Sequence, residues 1–175
     1  MNNNLVQRRP ALEAGRRGPG GARRQAVRLL TRGPARLSSP ARWAVSILAL
    51  AGAALIVWSS VIHLQLWSDG YRTISVIGPL FLIQGIAGIA LALAVAVFRR
   101  AALLAAGAFL LAGTAVGLLL SAGIGLFGFQ ESLAVPYATS SLVVEFTGAA
   151  VLAAATAIVL AGRPRPVQSI SGPIA

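Results

Sequence analysis

Apolar residues in this chain show neither the 3.6-residue period of an amphipathic helix nor the alternation of a half-buried strand. They fill four long stretches, and polar residues gather in the short segments between them. Roughly 18 or more residues without charge mark a helix that crosses a bilayer, where a helix satisfies its own backbone hydrogen bonds. The first stretch covers residues 43–66, with His63 and Gln65 placed at the interface. A polar turn from Trp67 to Arg72 follows, and its Asp69-Gly70 pair favours chain reversal. The second stretch covers 73–98, with Gly78-Pro79 as a kink or as its first turn. Arg99-Arg100 separates it from the third, 101–127. Together these two are too long for one crossing at ~1.5 Å per residue, so the chain reverses at the arginine pair. The fourth stretch covers 136–161 and is interrupted only by Glu145. The predicted fold is all-α, an integral membrane four-helix bundle.

Residues 1–42 lack this pattern. They are rich in arginine, glycine and proline and bury too little apolar surface to offset the entropy of ordering, so a disordered cytoplasmic tail is expected. Within it, residues 22–30 fit a short basic helix lying on the bilayer through Val27, Leu29 and Leu30. The pairs Arg8-Arg9 and Arg16-Arg17 lie far upstream of the first apolar stretch, and no small-residue cleavage site follows it, so that stretch reads as an anchor and not as a removable signal. Residues 162–175 form a second short tail.

Composition agrees with the pattern: 57% of residues are hydrophobic and 11% charged, against roughly 45–50% and about 25% in soluble domains. The net charge of +11 suggests nucleic acid at first sight, but ten of the fifteen arginines precede Trp43 and no nucleic-acid-binding fold accompanies them. Their placement sets topology instead. Fourteen arginines fall in the two tails and the 99–100 turn, and Arg72 alone falls in the other loops, which puts both termini in the cytoplasm of a multi-pass cell-membrane protein. Each arginine near an anionic leaflet contributes about 1 kcal/mol, so anionic lipid is the expected partner of the tail.

Chemistry-bearing residues are few. The absence of cysteine excludes thiolate metal sites, and one histidine with four scattered acids does not make a metal centre. No cofactor is implied; haem at His63 would need a second axial ligand, and none is evident. Glu145 is the most informative residue, because a carboxyl group inside a span is costly unless neutral, paired or hydrated. It lies nine residues after Pro136, roughly 14 Å down its helix, and Gln84 lies ten after Ile74, about 15 Å down its own. The two therefore meet at one depth. Ser141, Glu145 and Gly148 share a helix face. Two readings stand: a structural hydrogen bond from Glu145 to Gln84 or to a hydroxyl such as Ser59, or a proton site at the polar end of a ligand pocket. His63, Tyr71 and Arg72 complete the candidate cluster on the outer side, with Trp67, Tyr71 and Tyr137 also suited to an interfacial belt. Gly113 and Gly117 form a GxxxG pattern that, with Gly85 and Gly88, predicts close helix packing inside the bundle.

The segment His63-Leu-Gln-Leu-Trp67, Gly70-Tyr-Arg72, Ile74 and Ile77-Gly-Pro-Leu-Phe81 resembles one found in small four-helix membrane proteins of actinobacteria. That resemblance implies the four-helix architecture and no mechanism. In architecture alone the chain is similar to DoxX-type membrane subunits. With no nucleophile–base arrangement, phosphate loop or metal spacing, the expected function is a non-enzymatic accessory or structural subunit that associates with lipid and other membrane proteins. The alternative is a small transporter or quinone-associated redox protein in which Glu145 takes up a proton.

Overall fold

The computed structural model describes residues 19–134 and 137–162. These form five helices: α1 (Pro19–Leu30), α2 (Ser39–Ser68), α3 (Ile77–Phe98), α4 (Ala101–Gly123) and α5 (Ala138–Ala161), with short 3₁₀ turns at Pro34–Arg36 and Tyr71–Thr73. The last four helices are each long and apolar enough to cross a membrane. Large apolar side chains ring the outside of the bundle, among them Trp43, Ile47, Leu93, Phe109 and Val143. A helix that is apolar on all sides belongs in lipid or in a large core, and a bundle of this size has no large core. The chain is a multi-pass membrane protein.

Three boundaries differ from the sequence expectation. α2 begins at Ser39 and runs on through His63 and Gln65 to Ser68, and His63 is buried inside the bundle. α3 starts at Ile77, because residues 70–76 fold into a turn that lies over its first coil. A Cβ on Gly78 would strike the carbonyls of Tyr71 and Arg72, so glycine is what lets that turn descend onto the helix. α4 ends at Gly123, where Gly125 at φ 81° leads into a tight hairpin. Leu126 and Phe129 exchange both backbone hydrogen bonds, and Phe127 and Gly128 between them both have positive φ, as a type I′ turn requires.

The expectation of disorder through residue 42 also needs correction. α1 contains the basic helix expected at 22–30, and residues 31–38 are tied to the bundle: the Arg32 carbonyl accepts from the Ala101 amide, the Arg32 guanidinium donates to the Leu160 carbonyl, and Leu37 is buried against Gly162. Composition hides such contacts because they depend on which helix ends meet. Residues 1–18, 135–136 and 163–175 lie outside the described residues, and with them the rest of the arginine tail, Pro136, Arg163 and Arg165.

α2 is the central helix, packed against α3 on one side and α5 on the other, and α4 packs on α5. Contact between α3 and α4 is thin even though only two residues join them. Glycines decide this. A Cβ on Gly88 would meet Ser60 and Ile56 of α2, and one on Gly148 would meet Leu111 of α4 and Leu55 of α2, so these helices approach at backbone distance. Gly113 and Gly117, expected to pack internally, do not: a Cβ on either meets nothing within 4 Å. The bundle therefore divides into two halves. At the arginine end Val45, Ile56, Val95, Leu104, Leu152 and Val159 make a dry core. At the far end the buried residues include Ser59, Ser60, His63, Gln84, Ser121, Ser141 and Glu145.

This packing predicts opposite outcomes for two glycine pairs. Gly88→Val and Gly148→Val should each destabilise the bundle by about 1–3 kcal/mol through overpacking, whereas Gly113→Ala and Gly117→Ala should be neutral or slightly stabilising by raising helix propensity. Unfolding in mixed detergent micelles followed by circular dichroism checks this; equal losses for both pairs would refute the packing.

Candidate functional site

Four helices bring their polar residues to the far-end half, around a cavity of about 470 Å³. α3 contributes Leu80, Ile83, Gln84 and Ala87, and α4 contributes Phe109, Gly113, Thr114 and Gly117, so the cavity occupies the thin seam between these two helices. The two glycines are what hollow it out. Ile83 and Phe109 line the cavity and also lie on the outer surface of the bundle, at 61% and 79% exposure, so the seam opens sideways between α3 and α4.

Glu145 lies deepest by burial, at 1% exposure. Its Oε1 accepts hydrogen bonds from the hydroxyl of Ser59 on α2 (3.1 Å) and of Ser141 one turn earlier on α5 (3.0 Å). The expected pairing with Gln84 does not form: Glu145 Oε2 and Gln84 Nε2 are both buried without a partner, although both residues line the cavity. The reading of Ser59 as a partner holds. Buried polar atoms without partners are rare, because each carries its full desolvation cost. Two beside one cavity mark where a ligand's polar group would be held.

His63 also lines the cavity. Its Nδ1 lies 2.8 Å from the Ser59 carbonyl of its own helix. A carbonyl only accepts, so Nδ1 carries a proton and donates it to that carbonyl. The ring meets Phe81 edge-on at 5.0 Å.

Tyr71, also expected in an interfacial belt, lines the cavity at its far end. It stacks on Phe81 at 5.2 Å, meets Phe129 edge-on, and donates a 2.7 Å hydrogen bond to Glu131 Oε2. That bond joins the loop after α2 to the loop after α4. Burial, and then the adjacent Glu131 carboxylate, push the Tyr71 hydroxyl up to about 12 from its ordinary 10.0. Arg72 is exposed and apart from the cavity, so of the candidate cluster it alone is not brought to the site. Sequence reading missed Phe81, Phe129, Thr114 and Glu131 as cavity residues; the aromatics looked like ordinary apolar positions, and nothing linked the two loops.

The fold and site define a four-helix membrane protein with an acid-bearing cavity between two of its helices. Comparison with protein-family models, with curated proteins and with solved structures gives no match for this chain.

The Tyr71–Glu131 bond predicts a specific alkaline response. The fold favours protonated Tyr71, so the bond's contribution is complete below pH 10 and is lost as pH rises from 10 through about 12. Subtracting the ultraviolet titration of Tyr71→Phe from that of the native protein should isolate a phenol ionising near 12. A midpoint at the ordinary value would mean the bond is absent in solution.

Proposed function

We propose that this chain is a small-molecule carrier or transporter of the cell membrane, with both termini cytoplasmic, whose cavity holds an amphipathic ligand and whose Glu145 supplies the polar anchor and the exchangeable proton. The observation that supports this most directly is the pair of unpartnered atoms, Glu145 Oε2 and Gln84 Nε2, beside a cavity of about 470 Å³. That volume lies within the roughly 300–1,000 Å³ of small-molecule sites. The Ser59 and Ser141 hydroxyls hold the carboxyl in one orientation, and a fixed acid serves recognition better than a mobile one. The orientation follows from the excess of arginine at one end of the bundle, and α1, with Val27 and Leu30 exposed among Arg23, Arg24 and Arg28, suits anionic lipid on that side.

A second reading, the accessory subunit, is supported by a different surface. Ala105, Ala108, Ala112, Ala149 and Ala153 line a shallow groove between α4 and α5, and small residues of this kind admit a partner's helix at close range.

Native mass spectrometry of protein extracted gently from its own membranes separates the two. The carrier reading expects a discrete small-molecule adduct that Gly113→Leu removes, since a leucine there fills the cavity from an open position and leaves the helix contacts intact. A co-purifying protein without any small molecule, displaced by Ala149→Leu, would support the subunit reading and overturn the carrier.

A further inference from the structure

We infer that the cavity takes its ligand from the bilayer, and that the ligand is a neutral amphiphile whose head presents a hydrogen-bond-accepting oxygen of the carbonyl type. The inference rests on the carrier reading and specifies its substrate class. The route follows from the walls. The loop end is tied across by Tyr71 and Glu131, the arginine end is filled by the dry core, and the α3–α4 seam opens between the lipid-facing side chains of Ile83 and Phe109.

The head group follows from hydrogen-bond valence. Glu145 Oε1 already accepts from two hydroxyls, so its lone pairs are occupied. Among the described residues no arginine lines the cavity, and its one histidine, His63, has Nδ1 committed to the Ser59 carbonyl, so no permanent positive charge there compensates a carboxylate or attracts an anionic head. In its neutral form the acid carries its proton on Oε2, the oxygen without a partner. Gln84 Nε2, equally without a partner, is a donor in every state. Glu145 and Gln84 then offer one unpartnered donor each, and an sp² oxygen, with two lone pairs, is the acceptor that can answer both. A cationic head would leave Gln84 unsatisfied and set its N–H groups against a positive charge.

The test uses native protein in nanodiscs and three probes of equal chain length: a long-chain methyl ketone, the alkyltrimethylammonium and the alkyl phosphate. The ketone should bind and the two charged probes should not. Glu145→Gln should bind the ketone within about threefold of the native protein, because glutamine reproduces the neutral acid, one oxygen accepting from the serines and one N–H donating. Glu145→Leu and Gln84→Leu should each weaken it by about tenfold, as expected for losing one buried hydrogen bond. Binding of the trimethylammonium probe, abolished by both Glu145→Gln and Gly113→Leu, would overturn the neutral-acceptor class and leave the carrier reading standing. Ketone binding indifferent to Gly113→Leu would place the ligand elsewhere and sink the carrier reading itself.

Discussion

A carboxyl group in the middle of an apolar bundle constrains everything near it. Glu145 is 1% exposed, on a helix, Ala138–Ala161, that carries no other charged residue. Hydrocarbon supplies no hydrogen bonds, so each polar atom it carries must be answered by the protein or by something the protein binds. Ser59 and Ser141 answer one oxygen. Ser59 lies on α2, so this contact also holds the central helix against α5 and sets their register at the depth where the bundle begins to open.

From that point the two halves follow different physics. Toward the arginine end, glycines at 52, 88, 107 and 148 bring helices to backbone contact, and Ile56, Leu111 and Leu152 fill the remaining space. Toward the far end α3 and α4 separate, with only a thin contact between them, and the face of α4 that meets the seam carries Gly113 and Gly117. A glycine pair is usually read as a place where another helix docks. Here the missing side chains leave volume, and the volume adjoins the acid. The aromatic cap of Tyr71, Phe81 and Phe129 then shields that volume at its loop end, held by the hydrogen bond to Glu131.

How much of this was visible in the sequence depends on the range of the interaction. The four spans, the reversal at Arg99-Arg100 and the significance of Glu145 were legible because each follows from a local run of residue types. The link from Ser59 to Glu145 was one of the pairings open to the acid, and the structure selects it over Gln84. The Tyr71–Glu131 bond was out of reach, since it joins residues 60 positions apart in loops whose conformations depend on Gly78 and on a type I′ turn. The burial of His63 was hidden for a similar reason, because it depends on α2 continuing past it and on Phe81 of α3 packing against its ring.

By itself, then, the sequence determined that the chain forms apolar helices, how many cross a membrane, where they reverse, and that one of them carries an acid requiring a partner. These are consequences of transfer free energy and backbone hydrogen bonding, and both act along a single segment. Tertiary structure alone decided which glycines pack and which leave a cavity, which oxygen of Glu145 is answered, and that Tyr71 and Glu131 join two loops at the far end. Those outcomes depend on the relative positions of separate helices. Lipid is as apolar as the side chains, so those positions come from detailed packing and not from a pattern of polar and apolar residues.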